Sequence, residues 1–251
     1  MKPVVFVGAG PGAGDLITVR GAQRLARADI VLHDALTDPA LRELAPRARW
    51  LDVGKRGFCD STGQARINAL LVRFAQQGLA VVRLKGGDPS VFGRLEEELQ
   101  ALAEAGIEAE VVPGVTAAIA AAAATQRPLT RRGSGRSVAL TTAMTRGGEL
   151  RAARSADTEV FYMAGRQLGA LSRRLQEAGW PAETPVSVVS RAGWPDQIAS
   201  EHRVDTLAGA AMLHSGRPTV VTVGVGAGPV AKATLRGSLK IPRFVPLATP
   251  Q

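Results

Sequence analysis

The sequence predicts an α/β protein of two α/β domains, the first built on a mostly parallel sheet and the second on a mixed one. Three observations carry that reading. Short apolar runs alternate with segments of helical periodicity from Pro3 to Val112, the pattern of strand–helix–strand units. Several of these runs end in glycine-bearing loops, as strands do where an open sheet presents its carboxyl ends to a ligand. Beyond Pro128 the strands outnumber the helices, so the pairing there is expected to be mixed.

In chain order, Pro3 to Val7 reads as the first strand, followed by the glycine loop Gly8 to Asp15 and a helix from Leu16 to Ala28 with Leu16, Val19, Ala22 and Leu25 or Ala26 facing inward. Asp29 to Leu32 is the second strand and ends at His33-Asp34. A short helix over Leu41 to Leu44 stops before Pro46, and Trp50 to Val53 is the third strand, leaving through Gly54-Lys55-Arg56-Gly57. Ile67, Leu70, Leu71 and Phe74 fall at i, i+3, i+4 and i+7, so they form one helical face that Gly78 ends. Ala80 to Leu84 is apolar with one charge and reads as a buried strand. Its exit, Gly86-Gly87-Asp88-Pro89, is the segment around which the chain is organised. Two glycines let a ligand approach the backbone, and Asp88 sets a carboxylate beside their amides. Pro89 keeps Asp88 out of helical dihedrals. A helix from Arg94 carries Leu95, Leu99 and Leu102 inward and ends at Gly106, and Glu108 to Val112 is the fifth strand.

Pro113-Gly114-Val115-Thr116 then opens an alanine-rich helix that Pro128 ends. Strands follow at Ser137 to Thr142, Glu159 to Met163, Pro185 to Ser190, Gln197 to Arg203 and Thr219 to Gly224, with helices at Gln167 to Ala178 and Thr206 to Leu213. The domains expected are residues 1–113 and 114–235, with residues 236–251, which carry three prolines and no periodicity, as a loose tail.

Composition narrows the function. The net charge of +9 calls for a polyanionic partner, either nucleic acid or a small molecule with many carboxylates. Aromatic residues make up 4% of the chain and no basic run is interleaved with them, which argues against recognition by base stacking. One cysteine, Cys59, rules out an intrachain disulfide and fits a reducing cytoplasm. No stretch approaches the ~18 apolar residues of a membrane span. The three histidines are scattered, so no metal cluster is expected. Gly8, Gly10 and Ala13 match the relaxed dinucleotide fingerprint, with Asp34 downstream, and leave a nicotinamide-dependent oxidoreductase as an alternative; Pro11 stiffens the loop where a diphosphate needs free amides.

Read together, GAGPG after strand one, the aspartate of VLHDAL, VGKRG, LKGGDPSVFGR, VVPGVTAA, VFYMAG and VVSRAGWPDQ resemble, in order and spacing, the tetrapyrrole (precorrin) methylase family over residues 3 to 228. The resemblance implies two α/β domains with S-adenosylmethionine bound between them, and S-adenosylhomocysteine as the spent form. It implies cofactor contacts from Pro11, Gly86, Gly87, Asp88, Val91, Thr116, Ala117, Met163, Ala192 and, less directly, Thr219. It implies Asp34 as proton acceptor and Lys55 as proton donor, an anionic tetrapyrrole of the uroporphyrinogen type as substrate, and a cytoplasmic homodimer that engages neither nucleic acid nor membrane. A related precorrin or cobalt-precorrin methylase is the nearest alternative within the family. On this reading the positive charge of the chain has a definite partner, since uroporphyrinogen carries eight carboxylates.

Overall fold

The structure is a computed structural model and describes residues 1–54, 62–144 and 150–230. The chain divides into two compact units, Met1–Thr116 and the described chain from Ala117 onward.

The first unit is a five-stranded sheet of β1 (Val4–Gly8), β2 (Ile30–His33), β3 (Arg49–Asp52), β4 (Val81–Lys85) and β5 (Ala109–Val112). Its order is β3-β2-β4-β1-β5 and every pairing is parallel. Period-two alternation sends the side chains of β1, β2 and β4 to opposite faces. Val7, Val31, Val82 and Leu84 pack with Leu25 of α1 (Val19–Leu25) on one face. Val4, Phe6, Ile30, Leu32 and Val81 pack on the other with Ile67, Leu71 and Phe74 of α2 (Thr62–Gln76) and Leu102 of α3 (Leu95–Glu104). Adjacent strands β1 and β4 therefore send their following helices to opposite faces. That divergence is the switch point at which open α/β sheets bind ligands, at the carboxyl ends of the strands.

The second unit is a sheet of order β6-β7-β10-β8-β9, built from β6 (Val138–Thr142), β7 (Thr158–Tyr162), β8 (Pro185–Ser190), β9 (Ile198–Arg203) and β10 (Thr219–Gly224). Only β6 and β7 are parallel; the other three pairings are antiparallel. Its core combines Phe161, Val186, Val188, Val221 and Val223 with Leu168, Leu171 and Leu175 of α5 (Leu168–Glu177). The alanine-rich α4 (Ala117–Ala124) buries Ala118, Ala120 and Ala121 against Val160, Val189 and Val220.

Two segments differ from the sequence expectation. The helix foreseen over Leu16 to Ala28 is a 3-10 turn at Gly14–Leu16, then α1, which starts only after Thr18, whose hydroxyl accepts from the Gly21 amide at 3.0 Å. Leu16 and Val19, expected inward, lie outside, and Gly21 and Leu25 make the buried contacts. The helix foreseen over Thr206 to Leu213 is a 3-10 helix at Val204–Ala210 followed by the single turn α6 (Ala211–His214). Gly209 in its middle disfavours continuous α-helix.

A directed hydrogen-bond chain runs through this second unit. The Thr219 hydroxyl donates to the Arg217 carbonyl at 2.8 Å, so it accepts from Ser190 Oγ, also at 2.8 Å. Ser190 Oγ must then accept from His214 Nδ1–H at 2.6 Å, and neutral His214 accepts from Ser200 Oγ at its Nε2. Ser200 in turn accepts from His202 Nε2–H at 2.7 Å. Burial pushes both imidazoles below the ordinary histidine range, with His202 and Arg217 adding to the effect at His214.

Two predictions follow from packing and from this chain. A Cβ on Gly114 would sit 2.4 Å from the Gly87 carbonyl oxygen and 2.8 Å from Gly8 Cα, both backbone atoms that cannot swing aside. Gly114→Ala should cost about 2 kcal/mol or more in urea unfolding, the range of overpacked sites, whereas Gly209→Ala, with nothing within 4 Å of its Cβ, should cost little. As for pH, a folded-state pKa depressed below the unfolded value near 6.5 means the unfolded chain takes up the proton first as pH falls. The stability that depends on neutral His214 and His202 is thus complete above about pH 6.5 and is lost progressively below it. Thermal melts should show the midpoint falling from about pH 6.5 downward, and the fall should be shallower in His214→Gln; equal slopes for the two proteins would remove the histidine chain as its source.

Candidate active site

The loops after β1, β4 and β5 are joined backbone to backbone. Gly10 and Gly87, at φ +80° and +70°, exchange both of their hydrogen bonds, N–H to carbonyl at 3.2 and 2.7 Å. L side chains rarely adopt this left-handed region, and glycine enters it without a Cβ penalty. A Cβ on Gly8 would lie 2.6 Å from Gly114 Cα, so only glycines permit the approach of the first and fifth strands' exits. Asp88 completes the junction: Oδ1 accepts from the Ser90 amide at 2.8 Å and Oδ2 from the Gly114 amide at 2.9 Å. Its carboxylate, foreseen beside open glycine amides, is an internal clamp between two loops. The Gly10 amide is likewise committed to Gly87, and the loop leads into a three-residue 3-10 turn. With that amide engaged, the Gly14 amide bonded to Asp38 and a 3-10 turn next in the chain, the loop is a poor match to a dinucleotide diphosphate site.

Asp34 follows β2 with its side chain 30% exposed. Its Oδ1 accepts from Arg83 Nη2 at 2.5 Å and its Oδ2 faces the Gly86 amide at 3.4 Å. The carboxylate is thus fixed on one side and open on the other. Around it, His33, Asp38, Arg42, Trp50 and Asp52 line a hollow. Lys55, the expected proton donor, lies outside the described residues.

Beneath Asp34 is a set of charges that the sequence reading passed over. Arg83 and Lys85 alternate along β4 and point to the α3 face, both 2% exposed. Glu98 of α3, fully buried, meets them: Oε1 accepts from Arg83 Nε at 3.1 Å and from Gln64 Nε2 at 3.1 Å, and Oε2 accepts from Lys85 Nζ at 2.7 Å. With Asp34 the set holds two positive and two negative groups. Burial opposes the Arg83 charge, but Asp34 and Glu98 outweigh it and hold its pKa above the ordinary value. Burial, and then the Arg83 charge, press the Lys85 ammonium below its ordinary range, and the carboxylates only partly offset them. The signal was in the sequence. Two charges stand at period two in an apolar strand, and Glu98 lies on the stripe of Leu95 and Leu102.

The structure places the remaining expected contacts as follows. Pro11, Gly86, Gly87, Asp88, Val91 and Thr116 lie on the joined loops of the first unit. The Val91 amide donates to the Asp88 carbonyl, and a Cβ on Gly87 would have only Thr116 Cα within 4 Å, so space remains above that glycine. In the second unit Met163, just past β7, is 45% exposed at φ +58°, a strained setting for a methionine that packing does not explain. Its neighbour Tyr162 accepts from the Ala118 amide through Oη at 3.3 Å, and Ala192 and Ala117 belong to the same apolar cluster. Ala192 follows Arg191, another left-handed residue at φ 52°. Thr219 lies at the same sheet end, but its hydroxyl is engaged inside the Ser190 chain. The glycine-lined space above Gly87 in the first unit is open to a compact organic ligand. Among the described residues no group of His, Cys, Asp or Glu is placed to hold a metal ion, and no helix is long and apolar enough to cross a membrane.

Comparison with known proteins agrees with this arrangement. The family model described as Tetrapyrrole (Corrin/Porphyrin) Methylases matches residues 3–208. A uroporphyrinogen-III C-methyltransferase of Pseudomonas aeruginosa is 45% identical over 75% of this chain and 79% of its own length. A siroheme synthase of Actinobacillus succinogenes is 42% identical over 89% of this chain; the chain spans about half (48%) of that protein's length. Among solved structures, uroporphyrin-III C-methyltransferase of Thermus thermophilus in complex with S-adenosylhomocysteine superposes with a TM-score of 0.77 at 33% identity, covering 89% of this chain and 97% of that one. A cobalt precorrin-4 methyltransferase superposes at 0.79 with 29% identity, covering 90% and 96%. The chain belongs to the tetrapyrrole methylases.

Proposed function

We propose that the chain transfers methyl groups from S-adenosylmethionine to uroporphyrinogen III, at C2 and then C7, to give precorrin-2 by way of precorrin-1 for siroheme or cobalamin synthesis. The observation that carries the reading is the Asp34 carboxylate, held by Arg83 and open on one side at the carboxyl edge of a parallel sheet. Similarity to a uroporphyrinogen-III C-methyltransferase supports the choice of substrate. The TM-score of 0.79 with a cobalt precorrin-4 methyltransferase supports a second reading, a later tetrapyrrole of the same chemical type. Mass analysis of the product formed from uroporphyrinogen III and labelled methyl donor separates the two.

The donor supplies an already activated methyl group, so the protein's part is positioning and exclusion of water. Contacts to the donor come from Pro11, Gly86, Gly87, Asp88, Val91 and Thr116 in the first unit and from Ala117, Met163, Ala192 and Thr219 in the second. Asp88 acts by fixing the loop, and Thr219, its hydroxyl engaged, by its backbone. A pyrrole carbon of the substrate forms the new C–C bond as the S–C bond breaks, and the positive charge left on the macrocycle is relieved by loss of a proton. Asp34 meets that charge and accepts the proton. Lys55 binds substrate carboxylate and serves as proton donor.

Asp34→Asn keeps shape and removes the base. Turnover should fall on the order of 10²-fold or more, while affinity for S-adenosylhomocysteine in calorimetry stays near that of the parent protein. Gly87→Val should do the reverse at the first step and abolish that binding, because a β-branched residue at φ +70° is strained and its side chain would occupy the space above the loop. Near-normal turnover of the asparagine variant would reduce Asp34 to a loop residue, and parent-like affinity of the valine variant would move the donor elsewhere.

The working form is a homodimer in the cytoplasm. Strongly exposed Met212 and Leu213 of α6 offer apolar surface to a second copy, and the single cysteine suits a reducing compartment. Light scattering at micromolar concentration should give twice the chain mass; the mass of one chain would exclude the dimer.

A further inference from the structure

Asp34 does not stand alone electrostatically. Behind it Arg83 is shared between two carboxylates, Asp34 at 2.5 Å through Nη2 and Glu98 at 3.1 Å through Nε, and Glu98 is shared in turn with Lys85 at 2.7 Å. All but Asp34 are shut off from solvent, with side chains at most 3% exposed, so their mutual fields are weakly screened. The geometry holds Lys85 in place: its Cε lies 3.0 Å from where a Cβ on Gly93 would be, beneath the turn that follows Pro89. We propose that Lys85 and Glu98 are positioning residues that act through Arg83 to set the pH at which Asp34 exchanges its proton. The proposal rests on the reading of Asp34 as proton acceptor.

Among the described residues, the groups that face the cluster are few. From β4 come Arg83 and Lys85, from α3 Glu98, and from α2 the neutral Gln64. Arg94, paired to Glu97 at 2.6 Å, also acts on Glu98. On the open side of Asp34 are His33, Asp38, Arg42 and Asp52. None of these outer groups is ion-paired to the four by a short contact among the described residues, so removal of one inner charge is felt first by the remaining three.

The signs differ between two variants. Lys85→Met removes one positive charge, leaves Glu98 to draw on Arg83 alone, and so weakens the positive field at Asp34. The acid limb of the kcat/KM profile should then move up, by about one pH unit for the loss of one nearby positive charge. Adding Glu98→Gln removes a negative charge and frees Arg83 for Asp34, so the limb should return close to its starting position. Glu98→Gln alone is the poorer test, since Lys85, already pressed toward its neutral form, can shed its proton and mask the change.

The experiment uses the full chain. The Asp34 carboxyl is titrated by carbon-13 NMR in aspartate-labelled protein, with Asp34→Asn to assign the signal, alongside kcat/KM profiles for the parent, Lys85→Met and Lys85→Met/Glu98→Gln. Binding of S-adenosylhomocysteine confirms folding, and Lys85→Gln, which keeps a donor to Glu98 while losing the charge, replaces the methionine variant if that one does not fold. An upward shift in the single variant that reverses in the double supports the proposal; a packing role alone would not reverse when a second buried group is altered. The same Asp34 titration in all three proteins overturns it, whatever the rates. A carboxyl that shifts while the rate profile stays put leaves the coupling intact and removes Asp34 as the proton acceptor.

Discussion

Everything at the carboxyl edge of the first sheet depends on backbone meeting backbone where three strands end. Gly8 and Gly114 approach each other and the Gly87 carbonyl so closely that side chains are excluded from both, and reciprocal bonds between Gly10 and Gly87 lock two of the loops into one register. Parallel strands supply no hairpin to fix their exits, so the register of neighbouring loops has to come from contacts of this kind. The Asp88 clamp to Gly114 then makes the β5 exit part of the same rigid piece. A rigid floor of peptide groups, with open space above Gly87, is what a methyl donor needs when alignment is most of the chemistry.

The second constraint is charge conservation inside a dry interface. A lone buried lysine or arginine between sheet and helix would cost several kcal/mol. The first unit instead buries Arg83, Lys85 and Glu98 together and leaves Asp34 as the partly solvated end of the set. This partly exposed carboxylate is thereby tied to the interior, and its orientation is inherited from β4 and α3 rather than from its own loop. The second unit uses neutral groups for the same end: a one-directional line of hydroxyls and imidazoles secures the ends of β8 and β10, next to the strained Arg191.

Much of this was legible in the sequence. The strand positions followed from short apolar runs and their glycine exits, and those of α2 and α3 from a 3.6-residue stripe, because burial imposes such patterns directly. The start of α1 was misplaced because Thr18 competes with Gly14–Leu16 for the helix entry, a capping choice settled by local hydrogen bonds. The pairing of Gly10 with Gly87 was not legible, since it requires knowing that β1 and β4 are neighbours across more than seventy residues of chain. The clamp made by Asp88 was not legible for the same reason: its partner amide belongs to a loop after a different strand. Arg83, Lys85 and Glu98 were legible and were passed over, because the strand was read as buried with a single charge and no partner was sought for it on the facing helix.

The buried set has a consequence for how sequences of this kind can drift. A change at Arg83, Lys85 or Glu98 alone strands a charge where water cannot reach it, while a change that removes one positive and one negative member together leaves the interior neutral. These positions are therefore free to vary only in compensated pairs. Asp34, partly in solvent, could tolerate the loss of its deeper partners in terms of folding and still be altered in its chemistry, so the route by which a descendant of this chain acquires a different working pH runs through residues buried behind it.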